Sequence, residues 1–185
     1  MGDTFQTIVD LDAPPQDAPR LAERVIEWLV AEGIVLAQAE PGWALGDDPA
    51  HPPGPDWHKA VAHARWGAPE GLVVHTGHQV FYSTHVTANT VTCPRCGQTT
   101  TVEGEVTPRF GTAMNAWYET GAADVDCPGC AGSVPLPAWR WADHAYAFAH
   151  LGFKFWNWPA LSDEFRARTA RFLEGHDTAL LMGKI

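Results

Sequence analysis

The chain has 185 residues, of which 45% are hydrophobic and 11% aromatic, and its formal net charge is −10 with neutral histidines. This composition is typical of a packed globular protein with ample length for a core, which excludes an intrinsically disordered chain. The negative charge disfavours nucleic-acid binding, because that function needs a basic surface to replace phosphate counterions.

The N-terminal part of the chain predicts a strand, a helix and a second strand. Residues 5–11 have the composition of a β-strand. Apolar residues then recur at helical spacing between Leu21 and Leu29, and Gly33 is placed to end that helix. The apolar run 34–37 predicts a return strand, so we expect a βαβ unit at this end of the chain.

The middle of the chain predicts a long loop followed by a hairpin. Residues 41–71 are rich in proline and glycine, a composition that favours irregular structure. Two apolar runs, 72–75 and 78–82, flank Thr76 and Gly77. Because short apolar runs on either side of a glycine-containing turn are typical of antiparallel pairing, we expect a β-hairpin here.

The C-terminal part repeats the order of elements seen at the N-terminus. Apolar residues from Trp141 to Leu151 recur at helical spacing and predict a helix, and residues 153–158 predict a strand that is apolar on both faces. Ser162 is placed to cap a further helix, and residues 178–182 predict the last strand. Two βαβ halves packed as one sheet predict an α+β fold, specifically a ferredoxin-like sandwich.

The only four cysteines of the chain form two Cys-x-x-Cys motifs, made by Cys93, Cys96, Cys127 and Cys130. Each motif places two thiolates on one tight turn, and two such turns supply the tetrahedral four-sulfur shell that Zn²⁺ accepts. The segments CPRCG and CPGCAG resemble the rubredoxin-type zinc knuckles of zinc ribbons, and the resemblance covers residues 92–132. It implies one structural Zn²⁺ bound by the four cysteines.

The stretch between the two motifs is longer than the ~15–20 residues of the commonest zinc-ribbon pattern. A helix predicted over residues 112–120 allows this stretch to fold locally. We therefore expect a zinc-ribbon module at 92–132, inserted into an α+β core domain that is formed by residues 1–91 and 133–185.

Other interpretations of the four cysteines remain open. Iron in the same shell, an iron–sulfur cluster and a pair of redox-active dithiols are the alternatives. Zinc is favoured because turns rich in proline and glycine suit metal geometry. A shell made entirely of sulfur also leaves no open position for catalysis, so the metal is expected to be structural.

Several polar residues are candidates for a second site. His75 and His78 lie on either side of the predicted hairpin turn, with His85 nearby, although no carboxylate lies near them in sequence to complete a metal site. Lys154 and Asn157 interrupt an otherwise apolar strand, where a polar side chain needs a partner or a function.

The aromatic run between Trp139 and Trp158, which includes Trp156, has two interpretations. Core packing accounts for most such residues, because aromatic side chains dominate the energetics of protein interiors. The alternative is a wall for a planar ligand or a sugar, and a site for a drug-sized ligand needs a cleft of at least ~300 Å³.

These residues lead to one main expectation about function. We expect a non-enzymatic zinc-binding protein that acts through contacts with another protein, because the metal shell is closed, the charge is acidic and common catalytic motifs are missing. The alternatives are a small-molecule-binding domain or enzyme that uses His75, His78, Lys154 and Trp156, and a nucleic-acid-binding zinc ribbon, which the charge disfavours. We expect a cytoplasmic protein without a membrane anchor, since reduced thiols suit that compartment and no apolar run of 18 residues is present.

Overall fold

The structure, a computed structural model, describes residues 2–64, 69–86 and 89–185. The described residues form three α-helices, α1 (Ala18–Ala31), α2 (Thr107–Thr120) and α3 (Asp163–Phe172). The strands are β1 (Thr4–Asp10), β2 (Leu72–Tyr82), β3 (Thr90–Thr92), β4 (Thr99–Thr101), β5 (Asp124–Asp126), β6 (Ser133–Pro135), β7 (Arg140–Trp141), β8 (Tyr146–Trp156) and β9 (Thr178–Lys184). The fold is α+β with antiparallel sheets, as the sequence predicts.

The main sheet has four strands in the order β2–β8–β1–β9, and each pair of neighbours is antiparallel. The two central strands, β1 and β8, are buried along almost their whole length. Because neighbours are antiparallel, β1 and β2 run in the same direction on either side of β8. The strands β8 and β9 likewise run in the same direction on either side of β1.

Helices α1 and α3 pack together on one face of the main sheet. Trp28 of α1 stacks on Phe165 and Phe172 of α3, with ring centroids 5.6 and 4.5 Å apart. The same buried cluster includes Phe153 and Phe155 of β8. Burial of each such side chain contributes about 1.5–3 kcal/mol, so this cluster is the main core of the sheet.

The strands β2 and β8 are longer than their neighbours and carry a second core. Each has 11 residues, whereas β1 and β9 have 7. Residues 151–156 of β8 pair with β1, but residues 146–149 pair with β2 alone. Helix α2 packs on this two-stranded extension, where the Trp117 indole N–H donates to the carbonyl of Gln79 at 2.9 Å.

The second core surrounds the cysteines. Its buried residues are Val91, Cys93, Val102, Phe110, Ala113, Trp117, Val125, Cys127, Val134, Leu136, Trp139, Trp141, Ala145 and Phe148. The small sheets β4–β3–β7 and β5–β6 supply several of them. This core therefore extends beyond residue 132 and reaches the start of β8.

The predicted hairpin at Thr76 and Gly77 is wrong. Residues 72–82 form the single strand β2, and a β-bulge lies between Thr76 and Gln79. Gly77 has a φ of 105°, which glycine adopts without the steric penalty of a Cβ. A glycine inside a strand pattern thus marks a bulge here rather than a turn.

The predicted helix between Trp141 and Leu151 is also wrong, because most of this stretch belongs to β8. Nearly every residue from Ala145 to Trp156 is apolar. The run therefore fits the 3.6-residue period of a helix and the two-residue period of a strand equally well. The predicted return strand at 34–37 is wrong as well. Val35 forms only an isolated bridge with Pro53, and the strand that follows α1 in the main sheet is β2.

The other local predictions at the two ends are confirmed. β1, α1, α3 and β9 lie where the sequence places them. The Ser162 hydroxyl caps α3 by accepting the N–H of Phe165 at 3.1 Å. Within the described residues, no helix combines the length and the apolar character that crossing a lipid bilayer requires.

Candidate metal centre

The two Cys-x-x-Cys turns have the same backbone geometry. In each turn the carbonyl of the first cysteine, Cys93 or Cys127, accepts the N–H of the residue four positions later at 2.9 Å. The N–H of that cysteine donates to the carbonyl five positions later at 3.0 Å. The repeated pattern points two thiols of each turn toward a common centre.

The four thiols meet at one point. The Sγ atoms of Cys93, Cys96, Cys127 and Cys130 all lie within 4.8 Å of one another, and the Sγ atoms of Cys96 and Cys127 are 3.8 Å apart. A tetrahedral shell with metal–sulfur bonds of ~2.3 Å has sulfur–sulfur edges of about 3.8 Å, whereas a disulfide requires about 2.05 Å. All four cysteines are free thiols, so the cluster is positioned to bind a metal ion.

Electrostatics within the cluster favours a bound cation. A backbone hydrogen bond from Cys130 is the main cause that lowers the pKa of Cys127 to about 7. For Cys96, a backbone hydrogen bond from Gln98 lowers the pKa, but desolvation and hydrogen bonds with the other three thiols outweigh it and raise the pKa to about 11. Thiols this close cannot all ionise beside one another, and a divalent cation removes that conflict.

Glycines let the two turns interlock. The Arg95 side chain lies against Gly132, and the Gln98 side chain lies against Gly129. A Cβ at either glycine would occupy the space that these side chains fill. The first turn is therefore held against the second by side-chain packing as well as by its thiols.

The two turns differ at the residue after the second cysteine. Gly97 has a φ of 72° and the equivalent Ala131 has a φ of 53°, which is strained for a residue with a Cβ. We expect Ala131→Gly to raise the free energy of unfolding by about 0.5–1 kcal/mol, measured by chemical denaturation. As a control, Ala116→Gly inside α2 should lower it by about 1 kcal/mol. Destabilisation by both variants would contradict the strain at Ala131.

Known proteins do not identify this site. No family model, curated protein or solved structure matches the chain. The four cysteines themselves are therefore the evidence for a metal centre.

The structure brings together three of the other candidate residues, His75, Lys154 and Trp156. His75 and Lys154 lie on the face of the main sheet opposite α1 and α3, and both line a pocket of about 170 Å³. The Lys154 Nζ lies 4.3 Å from the ring centroids of both Phe5 and Trp156. Trp156 is buried and contributes its ring to this contact.

The remaining candidates have structural contacts elsewhere. The His78 Nε2 lies 3.0 Å from the carbonyl oxygen of Tyr118, which ties β2 to α2. The Asn157 amide oxygen accepts the N–H of Thr4 at 2.8 Å. His85 is exposed. These residues do not join His75 in one site.

Part of the aromatic run lines a larger cavity of about 530 Å³. It lies where the second core meets the ends of β1 and β9, and the rings of Trp139, Trp141 and Tyr146 contribute to its wall. Its polar lining includes Arg140 and His144, and His144 has a φ of 50°. Strained residues of this kind cluster at functional sites, so the cavity is a candidate binding site.

A buried ion pair near this cavity was not expected from the sequence. The Asp10 carboxylate is fully buried, and its Oδ2 lies 2.9 Å from the Nδ1 of His176. Asp10 ends β1 and His176 precedes β9, so 165 residues separate them in the chain. The sequence does show an aspartate, Asp10, at the end of an apolar strand. It does not show that His176 is the partner of this carboxylate.

Proposed function

We propose that this is a zinc-binding protein in which Cys93, Cys96, Cys127 and Cys130 hold one Zn²⁺ with a structural role. The observation that carries the proposal is the spacing of the thiols, all within 4.8 Å, with one pair at the edge length of a tetrahedral four-sulfur shell. A shell of four protein thiolates leaves no position for substrate or water, which supports a structural rather than a catalytic metal.

The surroundings of the cysteines support the same role. Cys93 and Cys127 are buried in the second core, whereas Cys96 and Cys130 are exposed. The strands around them have two or three residues each and provide few backbone hydrogen bonds. In small zinc domains the metal supplies ~10–16 kcal/mol, so a bound Zn²⁺ accounts for the stability of such short elements.

The proposed architecture has two units. The strand order β2–β8–β1–β9 with α1 and α3 on one face supports a ferredoxin-like sandwich built from β1–α1–β2 and β8–α3–β9. The cysteine-bearing segment between β2 and β8, residues 92–132, is the inserted zinc-ribbon module. The buried cluster around the cysteines is separate from the one around Phe153, which supports two units. It also includes Val134, Leu136 and Phe148, so the module packs against the chain that follows it.

Metal identity is tested by elemental analysis together with native mass spectrometry of the purified protein. We expect one zinc per chain, released as pH falls because protons compete with the metal for thiolates. Stoichiometric iron, seen also as visible absorbance, would contradict zinc. A metal-free protein with two disulfides would contradict any metal function.

A metal ion with four protein thiolates has no free position for a substrate, so binding to another protein is the function that fits it best. The net charge of −10 supports a partner with a basic surface, because opposite charges speed and orient association. The reduced thiols that zinc requires suit the cytoplasm. Affinity purification from native lysate at physiological salt should return one partner in stoichiometric amount; its repeated absence, with turnover of a small molecule, would contradict this role.

The aromatic cavity supports small-molecule binding as a second candidate function. At about 530 Å³ it exceeds the ~300 Å³ that drug-sized ligands need, and its walls combine Trp139, Trp141 and Tyr146 with Arg140. Rings of this kind stack on planar ligands and sugars. Native mass spectrometry should reveal a co-purifying adduct that is lost in Trp139→Ala; a ligand-free spectrum from native lysate would contradict this candidate.

A further inference from the structure

The face of the main sheet opposite α1 and α3 contains a pocket that the metal centre does not use. Its volume is about 170 Å³. It is lined by Phe5, Thr7, His75, Gln79, Val80, Phe81, Tyr82 and Lys154. The pocket combines an apolar wall with two basic side chains, the hydroxyl groups of Thr7 and Tyr82, and the amide of Gln79.

Glycines shape the apolar wall. The Phe81 ring lies directly on Gly152 of β8, and the Phe5 ring lies directly on Gly183 of β9. A Cβ at either position would displace the ring. Both rings therefore pack directly on the backbone of the main sheet, and β8 and β9 support the apolar wall of the pocket.

Lys154 is a half-buried cation without a carboxylate partner. No salt bridge joins it to an acidic side chain within residues 2–64, 69–86 and 89–185. Its Nζ contacts the faces of Phe5 and Trp156, which stabilise a cation only in part. Desolvation is the main cause that lowers the pKa of Lys154, and the charge of Asp48 opposes that shift without cancelling it.

His75 and Thr7 add hydrogen-bonding groups to the same pocket. Burial is the main cause that lowers the pKa of His75, and the charge of Lys154 lowers it further. The imidazole is therefore neutral at pH 7 and retains one N–H to donate. Thr7 is only 2% exposed, and its hydroxyl group is a second available donor.

We propose that this pocket binds a small monocarboxylate with an apolar body of about the size of a benzene ring. The carboxylate accepts hydrogen bonds from Lys154, His75 and Thr7, which supplies the counter-charge that Lys154 lacks. The apolar body lies against Phe5 and Phe81. An engineered cavity of ~150 Å³ holds benzene, so a volume of about 170 Å³ is sufficient.

Benzoate is the probe for this proposal, and the full chain with its metal is the sample. Calorimetry should give saturable binding with a Kd of about 1 mM or tighter. The chain has three lysines, so each gives its own resonance after ¹³C labelling at Cε. Benzoate should raise the pKa of Lys154 and leave the resonances of Lys59 and Lys184 unmoved.

Matched compounds and variants separate charge from shape. Benzamide, which keeps the ring and lacks the charge, should bind about tenfold or more weakly, and Lys154→Met should weaken benzoate binding to the same degree. Lys154→Arg, which retains the charge, should keep measurable binding. Lys59→Met, at an exposed lysine that pairs with Asp56, should bind as the wild type does.

Three outcomes would overturn the proposal. The first is no saturable shift of the Lys154 resonance with benzoate, and the second is equal binding of benzoate and benzamide. The third is binding of inorganic phosphate, but not benzoate, with the same dependence on Lys154, because the apolar wall would then have no role. None of these results depends on which metal the cysteines bind.

Discussion

Cys127→Ser is expected to abolish metal binding and to unfold the second core, while the core around α1 and α3 remains folded. The reason is that three thiolates no longer complete the shell, and metal binding supplies ~10–16 kcal/mol in comparable small sites. Helix α2 has 14 residues, against 14 in α1 and 10 in α3. The far-UV helical signal should therefore fall by about a third.

Elemental analysis, circular dichroism and limited proteolysis measure this result together. New cleavage sites should fall between residues 98 and 126, whereas α1 and α3 should stay protected. Ser133→Ala is the matched control, because it also changes a single side-chain atom, at an exposed residue three positions after Cys130. Loss of all helical signal in Cys127→Ser would show that the metal holds the whole protein together, and retained metal would contradict the four-cysteine centre.

Asp10→Ala is expected to lower the free energy of unfolding by about 3–5 kcal/mol, because it removes a fully buried carboxylate from the partly exposed His176 and leaves its backbone donors unsatisfied. The carboxylate of Asp10 accepts the N–H groups of Asp12 and Ala13 at 3.0 and 2.9 Å, in addition to the contact with His176. It thereby connects the end of β1 to the segment before β9. Chemical denaturation measures the loss, and Asp47→Ala, at an exposed residue, should stay within about 0.5 kcal/mol of the wild type.

The same pair predicts a pH dependence of stability. The hydrogen bond to Asp10 is the main cause that raises the pKa of His176, and the charges of Asp12 and Glu174 act in the same direction. Protonated His176 therefore stabilises the fold fully below its unfolded pKa of ~6.5, and this contribution is lost as pH rises through the higher folded pKa. His176→Gln should be less stable than the wild type at acidic pH and should approach it at alkaline pH. An equal difference in stability between the wild type and His176→Gln at acidic and alkaline pH would contradict a charged pair.

Local patterns in the sequence were sufficient for several elements and for the candidate metal ligands. The apolar stripe of α1, the Ser162 cap of α3 and the strand composition of β1 act within a few residues, so they can be recognised without the rest of the chain. The two Cys-x-x-Cys turns are equally local. Because each turn brings two thiols together by itself, the sequence indicated the cluster once two such turns were present.

Tertiary structure decided which residues form the long strands and which side chains line the pockets. In β8 almost every residue is apolar, so no period distinguishes a helix from a strand, and pairing with β1 and β2 determines the outcome. Gly77 marks a bulge because β8 pairs with both halves of β2. Lys154 was conspicuous in the sequence, but its neighbours Phe5 and His75 and the pairing of Asp10 with His176 come from distant parts of the chain. Such contacts depend on the strand order of the sheet, which no local pattern encodes.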